Sequence, residues 1–493
     1  MLASRPLLAL AIAFLAWLAL PGTFAFDDHS LFADPAVAPW DAWRQWVKLA
    51  QTRPLTYITF WLDFHLWGHN PLGFRLTNLL IHLGATAFLY LSTKKLFNDP
   101  TARIAAALFA LHPLAHEPLL YIFARSSSLS ALFCLLALWR WLEEKPWQAT
   151  LAFACSLLAK EEWVAFPLAL LLIDFAREHK PKWLQITVML SLSAAAGARV
   201  LYATKMIAGS GSGFGQSTTP WKYFLTQGHA IPGYLWRLII PVRMSIDPAR
   251  PSDSLEGAVF AWTVLALTIT IASWFWAKSA QPGFWLIPAW LLLLPSSSIL
   301  PAADAVAYRR LYLPLALIAI ALALIGNKYP KPALALILVW ASFAAARRAT
   351  WQSEEALWRE AAELAPTQTR PLLQLARLTP KDEALRHLDK AKLLTPADPE
   401  VASERGRVWL ESGDAAQALA EFGRALALAP TNARHIQNRG AALLALGQNE
   451  PAQADFLRAL QRDPCLKPAR ENLIRLGIQP PPDTCPTTNF AVK

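Results

Sequence analysis

Two adjacent carboxylates, Asp27 and Asp28, close the apolar run LALPGTFAF. A third, Glu117, sits in ALHPLAHEPL beside His112 and His116. Cations flank other apolar segments in the same way: Arg53, Arg125, Lys160, and the pair Arg309 and Arg310. Ionisable side chains at membrane-spanning segments cost energy and tend to mark function. Carboxylates and cations together suit transfer from a phosphate-linked donor to a hydroxyl. A carboxylate takes the acceptor's proton as general base, and arginine or lysine stabilises the charge growing on the leaving phosphate. Neighbouring residues point different ways, so one of Asp27 and Asp28 is expected to act as base while the other orients or binds.

These residues need a scaffold that gathers them. The 493-residue chain is 55% hydrophobic and 16% charged, with 22 tryptophans and 37 prolines. Soluble domains average about 45–50% apolar and about 25% charged, and tryptophan favours membrane–water interfaces. The composition therefore indicates a polytopic membrane protein of the all-α class. Apolar segments able to cross about 30 Å of hydrocarbon are expected at 6–25, 72–93, 102–120, 126–142, 147–160, 162–176, 183–203, 258–277, 282–300, 310–326 and 332–346, eleven in all. The stretch 221–243 reads as partly embedded. Lysine and arginine fall at alternate loops, which the positive-inside bias assigns to the cytoplasm together with the N-terminus. Every cation and carboxylate named above then lies on the outer side. The first segment also has the features of a cleavable signal peptide; the catalytic reading requires it to be retained.

The first outer loop, 26–71, carries the acidic motif and the stretch PWDAWRQWVKLAQTRPL, whose tryptophan spacing predicts a short helix lying in the interface. Beyond residue 346 the character changes. Pro396, Pro430 and Pro464 are 34 apart, and Gly406/Gly440, Ala418/Ala452 and Phe422/Phe456 keep the same step. That period predicts tetratricopeptide repeats, an α-solenoid over 347–480 whose concave face suits peptides, followed by a flexible tail at 481–493. The net charge of +11 follows from cytoplasmic loops and a basic repeat domain. No basic patch interleaved with aromatics indicates nucleic acid. Four cysteines lack metal spacing; Cys134 and Cys155 sit in apolar runs, and Cys465 could pair with Cys485 in an oxidising compartment.

The chain resembles the GT-C membrane glycosyltransferases, in the branch that carries tetratricopeptide repeats and includes protein O-mannosyltransferases. TRPLTYITFWLDFHLWGHNPLGFRLTNLLIHL resembles that branch through Arg53, Pro54, Asn70, Pro71, Asn78 and His82. ALHPLAHEPL resembles its His-Pro-x-His-x-Glu loop, LLAKEEW offers the matching Lys160, and AYRRLYLP resembles its Glu-Arg-Arg-x-Tyr-Leu-Pro segment. Three positions depart from the pattern: Ala115 replaces the second histidine, Ser127 stands where relatives carry aspartate, and Tyr308 replaces an acid. The resemblance implies that residues 1–346 form a GT-C-like domain with Asp27, Asp28 and Glu117 as catalytic acids. It makes Arg53, Arg125, Lys160, Arg309 and Arg310 ligands of a lipid phosphate, with His112 and His116 as substrate-binding candidates. Some members use a divalent metal at the acidic motif; no His/Cys cluster indicates one in this sequence, so whether a metal binds is left open, and no other cofactor is implied.

The resulting expectation is an inverting hexosyltransferase of the bacterial inner membrane. It would move a sugar from a polyprenyl-phosphate donor to a hydroxyl acceptor, a protein or glycan presented by periplasmic repeats. The rival reading is a non-enzymatic membrane scaffold whose repeats recruit envelope proteins. A flippase or transporter is the third, and it would favour charges nearer the bilayer midplane.

Overall fold

Many helices open on a proline. Pro54, Pro71, Pro146, Pro220 and Pro330 each begin a helix; the N–H that proline lacks has no intrahelical partner at that position anyway. Asn70 and Asn98 cap two of the early helices, accepting from the amides of Leu72 at 3.1 Å and Thr101 at 2.9 Å. The computed structural model describes residues 5–206, 219–249, 251–277, 281–298, 301–302 and 304–482. Its described residues are helical and irregular, without strands. The chain divides into two units: residues up to 353 apart from 245–249, and residues 245–249 with the chain from 354.

Among the described residues of the first unit, five segments are long and apolar enough to cross a membrane: Pro71–Leu96, Ile122–Leu142, Trp183–Thr204, Leu255–Trp274 and Tyr308–Lys328. Two shorter apolar helices, Ala9–Ala19 and Phe166–Ala176, accompany them. This is a multi-pass membrane protein. The expected count of eleven is not confirmed by these segments, and proline interrupts two of the others. The segment at 102–120 stops as a helix at Leu111, because a residue preceding proline is pushed out of the helical region. His112 is extended, and a 3-10 turn Pro113–His116 and the short helix Glu117–Leu120 follow. The segment at 282–300 is likewise split, into Gln281–Phe284 and Leu286–Leu293. The stretch at 221–243 is the helix Pro220–Ile239, with Pro232 inside it.

Helices Pro71–Leu96, Arg125–Leu142 and Tyr312–Lys328 form the middle of this unit, packed through Leu89, Phe109, Leu135, Trp141, Phe153 and Tyr312. Trp183–Met206 and Leu255–Ala277 keep most of their apolar surface outward, as helices facing lipid do. Within 26–71 the expected interfacial helix reduces to one turn, Trp43–Trp46. The longer helix there is Pro54–Trp67. It buries Thr56, Phe60 and Asp63 and exposes Leu62, Leu66 and Trp67. A helix in water shows the opposite arrangement, so this face is built for an apolar surround.

The second unit pairs helices from Glu354–Leu364 to Lys467–Arg475. A Cβ at Gly406 would come within 2.6 Å of the Phe422 ring, and one at Gly440 within 2.8 Å of Phe456. The 34-residue step therefore keeps a glycine where two helices touch through phenylalanine. The same step repeats an ion pair, Arg405–Glu421 at 3.1 Å and Arg439–Asp455 at 2.6 Å. In the first unit Cys134 and Cys155 are free thiols. The Cys465–Cys485 pairing and the tail beyond 482 fall outside the described residues.

Candidate active site

The acidic motif is held by a clamp that begins upstream of it. Arg75, buried on the Pro71–Leu96 helix, donates to the carbonyls of Pro21 at 2.6 Å and Thr23 at 2.9 Å. Gly22 lies between them at φ +139, where a Cβ would fall inside the Arg75 guanidinium. Both the left-handed backbone and the close approach demand glycine. Gly22→Ala is therefore expected to destabilise the protein by about 2 kcal/mol or more, read as a lowered unfolding midpoint of the full chain in detergent.

Beyond the clamp the chain enters a 3-10 turn, Phe26–Ala33, with Phe26 at φ +56. Successive residues of a 3-10 turn point about 120° apart, so the two aspartates face different surroundings. Asp28 is buried, and its carboxylate accepts from the amides of Ala25 at 3.1 Å and Phe123 at 2.8 Å. Burial pushes its pKa up to about 7, against the pull of those two amides and of Arg75. Asp27 points the other way and accepts from the Tyr121 hydroxyl at 3.0 Å.

Asp27 lines a cavity of 480 Å³ together with Arg53, Lys160, Arg309 and Arg310. Glu161, Glu162 and Asp304 also line it, so four cations face four carboxylates. The cations are fixed in place. Arg53 forks onto Glu161 at 2.8 and 3.3 Å. Burial raises the Glu161 pKa, but Arg53 outweighs it and holds the carboxyl down at about 2. Lys160 meets Glu162 at 2.9 Å and donates to Ser127 at 2.6 Å. Arg309 bridges Asp304 at 2.6 Å and Glu117 at 3.3 Å, while Arg310 donates to the carbonyls of Asp304 at 2.5 Å and Ala305 at 3.1 Å. Opposite this polar set, Val164, Gly197, Val200, Leu201 and Pro295 supply an apolar wall. Three of those residues belong to the outward-facing Trp183–Met206 helix.

No protein-family model matches the chain. Over 395 residues it is 26% identical to the protein O-mannosyl-transferase F38B6.6 of Caenorhabditis elegans, covering 71% of this chain and 56% of that protein. Human protein O-mannosyl-transferase TMTC1 is 34% identical over 135 residues, 24% of this chain and 15% of the human protein. The resemblance is to protein O-mannosyl-transferases. The chain spans just over half the length of the worm relative, 56%, and less of the human one. Among solved structures, the apo oligosaccharyltransferase of Archaeoglobus fulgidus aligns at 14% identity with a TM-score of 0.32, covering 77% of this chain and 60% of that one. ArnT of Cupriavidus metallidurans bound to undecaprenyl phosphate aligns at 15% identity with a TM-score of 0.32, covering 91% and 78%.

Not every residue with motif context in these transferases reaches the cavity. Arg125 is fully buried beside it, paired with Asp63 at 2.6 Å and donating to Asn78 at 2.6 Å and the Phe74 carbonyl at 2.8 Å. Its guanidinium lies 4.6 Å from the centre of the Phe60 ring. From the sequence Arg125 is expected at the lipid phosphate; here its guanidinium is buried on these partners and is not among the residues lining the cavity. Asp28 is turned onto backbone amides, as described. Glu117 is not among the lining residues and touches the site through Arg309. His112 and His116 are buried in the bend after Leu111, bonded to the carbonyls of Leu238 and Ala110, each at 3.2 Å. The His112 ring packs 4.2 Å from that of Trp340, so neither histidine presents an edge to substrate. Among the described residues no three His, Cys, Asp or Glu side chains gather as metal ligands.

Tyr121, Glu162 and Asp304 line the cavity without a signal in the sequence that singled them out. Glu161 carries only its charge and its place beside Lys160 in LLAKEEW. Tyr121 and Asp304 carry nothing locally that distinguishes them from other loop residues.

Proposed function

We propose that this chain is a membrane glycosyltransferase that moves a sugar from a polyprenyl-phosphate carrier to a hydroxyl on a protein. The observation that carries this reading is one cavity holding Asp27 with Arg53, Lys160, Arg309 and Arg310. Asp27 acts as the general base, taking the proton of the acceptor hydroxyl as that oxygen attacks the anomeric carbon. The bond to the phosphate oxygen breaks on the opposite face, in one inverting displacement. Negative charge then grows on the leaving phosphate, where fixed cations are worth most because they need no reorganisation. Lys160 is the best placed for this: Glu162 and Ser127 fix its ammonium, and of its three donors one is left for the phosphate.

The apolar wall fits a lipid donor. Gly197, Val200 and Leu201 line the cavity from a helix whose remaining surface is largely unburied, so a prenyl chain can leave sideways into the bilayer while its phosphate stays among the cations. The relatives are named for transfer of mannose to protein oxygen, and the same sugar and acceptor class are proposed here. The repeats would present the acceptor, with the reaction at the outer face of the inner membrane and the N-terminus in the cytoplasm.

The test uses the full-length chain in liposomes, a polyprenyl-phosphate-[14C]mannose donor and a Ser/Thr-rich peptide. Label should enter the peptide. In the double variant Lys160→Gln/Glu162→Gln, which avoids stranding a buried carboxylate, the donor KM should rise about tenfold, the loss of one charged hydrogen bond. Absence of transfer from every polyprenyl-phosphate sugar would defeat the enzymatic reading, and an unchanged KM would remove Lys160 from the phosphate site.

A further inference from the structure

The loop at 117–123 does more than line the cavity. Its C-terminal end reaches both aspartates: the Tyr121 hydroxyl donates to Oδ2 of Asp27 at 3.0 Å, and the Phe123 amide donates to Oδ1 of Asp28 at 2.8 Å. The loop is itself fixed from below. Asn78 donates to the carbonyls of Pro118 at 3.3 Å and Leu119 at 3.4 Å, and Glu117 is paired with Arg309. Tyr121 is buried to 2% exposure, with its ring between Phe26, Phe123 and Trp351 at centroid distances of 6.2, 6.5 and 6.3 Å. Such a phenol cannot swing away to find water, and a buried hydroxyl needs a partner. The partner it has is the carboxylate in the cavity.

We infer that Tyr121 is a positioning residue for the transfer reaction, its hydroxyl fixing the Asp27 carboxylate and setting that carboxylate's proton affinity. This rests on the reading of Asp27 as the base. A phenol donating to a carboxylate makes a charge-assisted bond, which is short, directional and stronger than a neutral one. It does two things. It removes rotation about the Asp27 side chain, so that the carboxylate meets the acceptor hydroxyl in one orientation. It also favours the ionised form, so that the base stays deprotonated to lower pH. Burial, reinforced by Asp27 and Asp28, keeps the Tyr121 proton on its oxygen far beyond neutral pH, so the group donates throughout the working range. Other charged or titratable groups near Asp27 include Asp28 and His29 on its own turn and Tyr57 on the Pro54–Trp67 helix, with Arg53, Lys160, Glu161, Glu162, Asp304, Arg309 and Arg310 lining the same cavity. None of them changes when only the phenol oxygen is removed.

Tyr121→Phe is the experiment, since it keeps the ring and its packing. With the liposome assay and the mannosyl donor, kcat should fall about ten- to a hundredfold, the range for a hydrogen bond to a charged group, with little change in donor KM. The acid limb of the kcat profile should move up by about one pH unit. In an Asp27→Asn background the same change should cost little further, because the two groups act as a unit. A second readout needs no turnover. The Asp27 carboxyl band, isolated by infrared difference against Asp27→Asn, should titrate at higher pH in Tyr121→Phe. An unmoved band, or an unmoved acid limb with unchanged kcat, overturns the inference. A moved band in a protein that transfers no sugar keeps the Tyr121–Asp27 coupling and defeats the enzymatic reading instead.

Discussion

Asp27→Asn should abolish sugar transfer to within about a thousandth of the wild-type rate while leaving the fold intact. General base catalysis contributes about 10²–10⁴, and the other carboxylates of the cavity, Glu161, Glu162 and Asp304, are each held in an ion pair with Arg53, Lys160 and Arg309. The adjacent acid, Asp28, is spent on the amides of Ala25 and Phe123. The asparagine side chain is nearly the same size and keeps an oxygen to accept from Tyr121, so the turn around it should persist. Asp28→Asn behaves differently. It puts an amide N–H₂ where a backbone N–H donates, so one of the two amides loses its acceptor in a buried site, at about 1–3 kcal/mol. Asp27→Asn should thus lose rate at a normal unfolding midpoint, and Asp28→Asn should lower the midpoint first. Initial rates and thermal unfolding of both variants decide the matter. Full activity in Asp27→Asn, or a rate-only defect in Asp28→Asn, would reverse the assignment of the two aspartates.

How much of this was legible in the sequence depends on what kind of information each residue carries. The repeat unit was legible because it is periodic: the glycine–phenylalanine contacts at 406/422 and 440/456 recur at 34 residues, and periodicity survives without any alignment. Membrane character was legible from composition, but the number of spans was not. A hydropathy run cannot report that His112–Pro113 breaks one segment into a helix, a 3-10 turn and a second short helix. For the site, residue type indicated charge and left direction open. Arg53, Lys160, Arg309 and Arg310 all come to one cavity, whereas Arg125 turns inward. The determinant is Asp63, an acid inside an apolar helix whose polar side faces the protein. Asp27 and Asp28 separate for a similar reason. Their surroundings are set by a loop some 95 residues later in the chain, which meets each with a different group, and that loop is not visible in the motif itself.

Arg125 supplies the second large effect, this time on stability. It carries a buried charge with every contact satisfied inside the protein: Asp63, Asn78, Thr59 and the Phe74 carbonyl. Removing it by Arg125→Met strands the Asp63 carboxylate where water does not reach, and breaking a buried pair from one side costs about 3–5 kcal/mol. That is a large share of the stability of an ordinary domain, so the single variant should unfold at much lower temperature and accumulate poorly in membranes. Removing both charges is different in kind. In Arg125→Met/Asp63→Leu no ion is left uncompensated, Thr77 still has the Gly73 carbonyl at 3.4 Å, and apolar replacement of a buried pair is often neutral. The double variant should therefore regain much of the midpoint and, with it, transfer at an unchanged donor KM. A phosphate ligand would behave otherwise: restoring stability would leave donor binding lost. Unfolding midpoints and donor KM for the two variants separate these outcomes. A normal midpoint with a raised KM in Arg125→Met would move this arginine from the scaffold back into the phosphate site.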